Sequence, residues 1–140
     1  MRGRFFLDTN IFVYSFDHSQ PKKRDTSIEL INTALETGNG IISFQVVQEF
    51  INTSTRKFIT PFSVEQIREY VKQFLKPIIN VYPTEELYDE ALSIMSKTNY
   101  SFYDSLIIAA SLASDAAVLY TEDLQHGQKI GKLKIVNPFV

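Results

Sequence analysis

Short apolar runs alternate with longer stretches of helical period along this chain, and that alternation restricts the fold more than any other feature. Arg4–Leu7, Gly40–Ser43, residues 78–82, Ala116–Tyr120 and Leu133–Val136 read as strands. After Lys22-Lys23-Arg24, the residues Ile28, Leu30, Ile31, Ala34 and Leu35 give one apolar helix face, closed by Gly38-Asn39-Gly40. Ser43 can cap a second helix, with Val46, Val47, Phe50 and Ile51 on one stripe, broken by Thr60-Pro61. Ser63-Val64-Glu65-Gln66 matches a capping box ahead of Ile67, Tyr70, Val71, Phe74 and Leu75, and Pro77 stops that helix. Thr84 caps a helix whose inward face is Leu87, Ala91, Leu92 and Met95. Residues 102–115 are apolar nearly all round, which places that helix at the centre. Strands separated by helices predict a mainly parallel sheet, here of about five strands, with helices on both faces. That is an α/β fold of three layers, α/β/α.

The same geometry collects acidic residues. In a β-α-β unit the helix runs against the strands, so each helix starts at the edge where strands end, and such sheets bind their ligands there. Asp8 ends the first apolar run, Phe5-Phe6-Leu7-Asp8-Thr9-Asn10, and Asn10 can cap a helical turn over residues 11–16. Asp123 follows the fourth strand, and Asp104 opens the central helix. Glu49 lies early in another helix, a few residues at ~1.5 Å each below the rim. All four therefore belong to one edge. Carboxylates converging without paired bases repel one another unless cations neutralise them. Oxygen ligands with no Cys or His cluster suit Mg2+ or Mn2+ rather than Zn2+. Such sites suit phosphodiester hydrolysis.

Taken singly, each acid has a simpler explanation. Asp8 can be a turn residue, Asp104 can complete an acidic capping box with Ser101, and Glu49 can be a solvated helix residue. Glu122 and Asp123 can form a charged loop, and Thr121 can be a helix cap. The shared edge is what favours a site. His126, near Asp123, can move a proton or touch phosphate, although His18 and His126 both stand in polar loops where solvation explains them. Lys22-Lys23-Arg24 and Arg56-Lys57 can contact phosphates, or simply be solvated helix ends. Tyr14, Phe16, Tyr100 and Tyr103 can stack bases, although most aromatics here suit a core or interface better.

At 140 residues the chain is read as one domain, 1–140, long enough to bury a real core. It has no cysteines, which excludes disulfides and thiolate metal sites and suits a reducing cytoplasm. No apolar segment is long enough to span a membrane. The net charge of -2 provides no basic field for nucleic acid, but four carboxylates neutralised by divalent cations would no longer repel a phosphate.

Four motifs in order resemble a known family. Leu7-Asp8-Thr9-Asn10, Val47-Gln48-Glu49-Phe50, Tyr103-Asp104-Ser105-Leu106-Ile107 and Tyr120-Thr121-Glu122-Asp123-Leu124-Gln125-His126-Gly127 look like the PIN-domain ribonucleases. They look most like the VapC-type toxins of bacterial and archaeal toxin–antitoxin pairs. The resemblance extends to Ile135-Val136-Asn137-Pro138-Phe139, essentially the whole chain. It implies a three-layer fold and Mg2+- or Mn2+-dependent cleavage of RNA. Asp8, Glu49, Asp104 and Asp123 would be metal-binding and catalytic, Thr121 and Asn10 supporting, and Glu122 a secondary acid. It also implies a homodimer and a small antitoxin partner that obstructs the site. Two other classes are compatible with an acidic sheet edge. One is a non-catalytic module of this fold that binds RNA or a basic protein partner. The other is a phosphatase or phosphoacceptor domain, but Asn10 stands where a nucleophilic phosphatase would carry its second Asp.

Overall fold

The computed structural model describes residues 3–140. Its six-stranded sheet has the order β3-β2-β1-β4-β6-β5. The strands are β1 (Arg4–Leu7), β2 (Gly40–Ser43), β3 (Ile79–Val81), β4 (Ala116–Tyr120), β5 (Lys129–Ile130) and β6 (Leu133–Val136). β1 lies at the centre, parallel to β2 on one side and to β4 on the other. Phe6 and Leu7 are fully buried, as an apolar run covered on both faces should be. The helices are α1 (Thr9–Tyr14), α2 (Pro21–Thr37), α3 (Phe44–Arg56), α4 (Val64–Tyr70), α5 (Glu85–Lys97) and α6 (Phe102–Ala113). They cover both faces of the sheet, so the α/β/α expectation holds. α6 is the central helix: Leu106, Ile107, Ile108, Ala109 and Ala110 are all buried.

The five expected strands are all present. The sixth, β5, pairs antiparallel with β6 through a two-residue turn at Gly131-Lys132, where Gly131 takes φ 60. Its two residues are too few to show a period of two in the sequence.

Several boundaries differ from expectation. Asp8 and not Asn10 caps α1: its backbone is extended (φ -74, ψ 165) and its carboxylate accepts the Thr9 N–H. α3 stops at Arg56, short of Thr60-Pro61. α4 has the expected capping box but widens into a π turn at Val71–Leu75, then tightens into a 3-10 turn at Lys76–Ile78 around Pro77. That turn takes Ile78 out of β3. On α5 the inward residues are Leu87, Ala91 and Ile94, while Leu92 and Met95 are about half exposed. α6 ends at Ala113, because Asp115 takes a left-handed φ of 61 to turn the chain into β4.

Among the described residues no helix is long and apolar enough to cross a membrane. A cluster of Phe16, Phe50, Phe58, Phe62 and Tyr70 fastens the α1–α2 loop to α3 and α4, with Phe50 and Tyr70 stacked at 4.9 Å. α2 lies directly on the start of β2. A methyl group on Gly40 would come within 2.1 Å of the Ala34 Cβ and 2.6 Å of its Cα. Because backbone cannot yield as a side chain tip can, Gly40→Ala should destabilise the protein by about 3 kcal/mol, at the upper end of ordinary overpacking. Urea unfolding measures this, and a loss under about 1 kcal/mol would show that α2 moves off freely.

Candidate functional site

Asp8 follows β1 at the centre of the sheet, and Asp123 and Glu49 are joined to it through neighbouring side chains. It is 8% exposed. Its Oδ1 accepts the Thr9 N–H at 2.7 Å, and its Oδ2 accepts the Thr121 hydroxyl at 2.7 Å. Thr121 is adjacent because β1 and β4 pair in register, Leu7 against Tyr120. The same Thr121 oxygen accepts the Asp123 N–H at 3.1 Å and lies 3.4 Å from the Asn10 amide nitrogen. Asn10 Nδ2 also donates to Asp123 Oδ2 at 3.1 Å. Asp8 and Asp123 are thus joined by one hydroxyl and one amide, and Asn10 serves this network instead of capping a helix.

Glu49 joins from α3. The Thr9 hydroxyl donates to its Oε1, and Gln45 Nε2 donates to its Oε2 at 3.1 Å. Gln45 Nε2 also donates to the Tyr103 carbonyl at 3.2 Å, in the first turn of α6. The next residue is Asp104, whose N–H donates to the capping Ser101 hydroxyl at 3.2 Å. Half of the expected capping box is therefore real, and it coexists with a place at the site.

Asp8 and Asp104 are each shifted by burial and by neighbouring acids. Burial, with the charges of Glu49 and Asp123 added, pushes Asp8 up to about 7 against the hydrogen bonds of Thr121 and Thr9, which hold it down. Burial raises Asp104 as well; Ser101 opposes this and the Asp123 charge adds to it. Among the described residues the ion pairs are Lys23–Glu122, Arg24–Asp25 and Arg68–Glu65, so none of the four acids has a basic partner.

Glu122 is differently placed. It pairs with Lys23 and accepts the Tyr14 hydroxyl at 2.5 Å. Burial alone would raise it, but those hydrogen bonds prevail and hold it below its usual value. His126 is taken up by structure, its Nδ1 accepting the Asn137 N–H at 2.9 Å, and His18 meets Arg24 at 2.8 Å. Phe16 belongs to the aromatic cluster, Tyr14 packs on Phe139 and Tyr100 bonds Gln128. Tyr103 stands 66% exposed beside Asp104. Thr9 and Gln45 were not singled out from sequence. Thr9 lies inside the first motif, and Gln45 stands one helical turn before Glu49, a spacing that brings side chains together.

This donor set fits a hard cation. It consists of unpaired carboxylates, and two amide oxygens nearby, Asn10 Oδ1 and Gln45 Oε1, are buried without a protein partner. Among the described residues no three acidic or histidine side chains are gathered closely enough to enclose an ion by themselves. Mg2+ tolerates that well, since it usually keeps several waters and takes one or two carboxylates. The residues that could hold it, one or two directly and the others through its waters, are Asp8, Asp123, Asp104 and Glu49.

The raised Asp8 has a consequence for stability. Below 3.8 the carboxyl is protonated in both folded and unfolded chains. Between 3.8 and about 7 the unfolded chain releases the proton while the folded one retains it, so stability falls as pH rises, and above that the loss is complete. The whole loss is on the order of 4 kcal/mol. In chelator, Asp8→Asn should therefore melt higher than wild type at pH 8, with a flatter profile from pH 5 to 8. Thermal melts across that range measure it, and a variant less stable at pH 8 would contradict the burial penalty.

The architecture and the site can be set beside known proteins. The family model described as PIN domain matches residues 5–130. A comparison with curated proteins by sequence finds no match. Among solved structures, a toxin–antitoxin complex from Klebsiella pneumoniae is similar at 17% identity and TM-score 0.66, over 95% of this chain and 96% of that one. DNA-bound VapBC from Salmonella typhimurium is similar at 19% identity and TM-score 0.64, over 96% and 97%. VapC20 of Mycobacterium tuberculosis, described as a sarcin-ricin loop cleaving toxin, is similar at 17% identity and TM-score 0.59, over 85% and 89%. At these identities the structures attest a shared fold, and the family match, spanning most of the chain, attests descent: the chain belongs to the PIN domain family.

Proposed function

We propose that this chain is a divalent-metal-dependent endoribonuclease and the toxin of a type II toxin–antitoxin pair. What supports this is the network that ties Asp8 to Asp123 through Thr121 and Asn10 and brings Glu49 in through Thr9, with Asp104 in the first turn of α6 and no basic partner on any of the four among the described residues. Family membership and the likeness to VapC-type toxin folds support it.

In this reading Asp8, Asp104 and Asp123 would hold Mg2+ or Mn2+, directly or through the ion's waters, and Glu49 would hold the ion or position a water. A bound divalent ion supplies a more acidic water and neutralises charge on the phosphate. The protein's own part is placement. Thr121 and the Thr9 N–H fix both oxygens of Asp8, and Asn10 ties Asp123 to the same hydroxyl. These hydrogen bonds leave each carboxylate oxygen a further lone pair for an ion. Glu122, already bound by Lys23 and Tyr14, steadies the loop that carries Asp123 and is not a ligand. The partners are structured RNA, a second copy of the chain and an antitoxin that covers the acidic edge. The chain acts as one domain, in the cytoplasm.

Purified protein with Mg2+ or Mn2+ should cut structured RNA, and EDTA should stop it. Asp8→Asn should lower the rate at least about a hundredfold, since even indirect partners of a metal cost 10- to 100-fold. Glu122→Gln should cost far less than Asp8→Asn in the same assay. Cleavage that persists in EDTA would overturn the metal mechanism. A folded protein that neither binds Mn2+ at millimolar concentration nor cuts RNA would instead be a non-catalytic module binding RNA or a basic partner.

A further inference from the structure

Glu49 stands in the second turn of α3, and a long side chain on a helix has freedom to swing away. Yet both of its oxygens are held: Thr9, the residue after Asp8, donates to Oε1, and Gln45 donates to Oε2 at 3.1 Å. Resting on the cation-binding role proposed for Glu49, we propose that Gln45 is a positioning residue of this site. Its buried amide spans from Glu49 to the first turn of α6 and sets where Glu49 stands relative to Asp104.

Three observations support this. First, Gln45 uses both protons of Nε2, one on Glu49 Oε2 and one on the Tyr103 carbonyl at 3.2 Å. The Tyr103 carbonyl belongs to the residue just before Asp104, so the amide links the helix of one acid to the turn of another. Second, the bridge is buried: Gln45 is 3% exposed. An ordinary surface pair one turn apart on a helix reaches no third element and is screened by water. Third, Gln45 Oε1 is buried with no protein partner. A buried amide with its oxygen unsatisfied is a poor choice for stability alone. Methionine has similar length and volume and would fill the same space without that defect. What methionine cannot do is donate to Glu49. The unsatisfied oxygen offsets what the two N–H bonds contribute to stability, so the side chain is explained by what its nitrogen does for the acid.

That offset separates a positioning role from a merely structural one. Gln45→Met should melt close to the wild-type temperature in chelator, because the lost hydrogen bonds and the removed unsatisfied oxygen offset each other. Its Mn2+ affinity, measured by calorimetry on the folded protein, should fall about 10- to 100-fold, the usual range when a group orienting a metal ligand is lost. The kcat for RNA cleavage should fall with it, while KM for RNA stays nearly unchanged. In a Glu49→Gln background the same substitution should cost less than about twofold, because a residue acting through Glu49 has nothing left to position. A Gln45→Met protein that melts well below wild type while keeping its Mn2+ affinity and kcat overturns the proposal and makes Gln45 a packing residue. An equal loss in the Glu49→Gln background also overturns it. Wild-type protein that binds no Mn2+ refutes the metal-dependent function and this role together, whereas Mn2+ binding unchanged by Gln45→Met refutes this role alone.

Discussion

A carboxylate is buried at the end of the central strand, and a neutral hydroxyl, not a cation, is its closest side-chain partner. The pairing of Asp8 with Thr121 depends on β1 and β4 lying parallel and in register, with Leu7 opposite Tyr120. It in turn fixes the loop after β4, because the same hydroxyl receives the Asp123 N–H. If an arginine stood in place of Thr121, Asp8 would be a satisfied ion pair and the edge would be electrostatically closed. With a hydroxyl there, burial and two neighbouring acids leave Asp8 with a carboxyl raised to about 7. The fold thus tolerates a local cost at its centre.

Around that centre each remaining acid is placed by a different element and held by a different kind of neighbour. Asp123 is held by Asn10, Glu49 by Thr9 and Gln45, and the turn of Asp104 by Ser101. These helpers are neutral, so they orient carboxylates without discharging them. The basic residue nearest in role, Lys23, is occupied by Glu122 and Tyr14 and lies over the rings of Tyr14 and Phe139. Separating the paired acid from the unpaired ones keeps a local negative field in a chain whose total charge is only -2.

Much of this was legible in the residues. Alternating apolar runs predicted the five main strands, because period and length are local properties. Helix direction alone brought Asp8, Glu49, Asp104 and Asp123 to one edge. The errors also have physical causes. Ile78 left its strand because Pro77 imposes a 3-10 turn, and β5 was too short to carry a pattern. Leu92 and Met95 read as core residues because an apolar residue one position off the true stripe looks alike in one dimension, while Ile94 takes the inward place. Asn10 looked like a cap because Asn often caps, but Asp8 one step earlier already had the extended backbone and the acceptor.

By itself the sequence determined the layer architecture and the sheet edge to which Asp8, Glu49, Asp104 and Asp123 belong. These follow from periodicity and from the fixed opposition of helices and strands. Tertiary structure alone decided which acids are unpaired. Nothing local distinguishes Glu122 from Asp123, yet one meets Lys23 from α2 and the other meets Asn10 from α1. It also decided that Gln45 touches both Glu49 and the turn of Asp104, a contact across 58 positions of chain. Partners so distant are set by how helices pack on a twisted sheet, and no spacing rule along the chain encodes that distance.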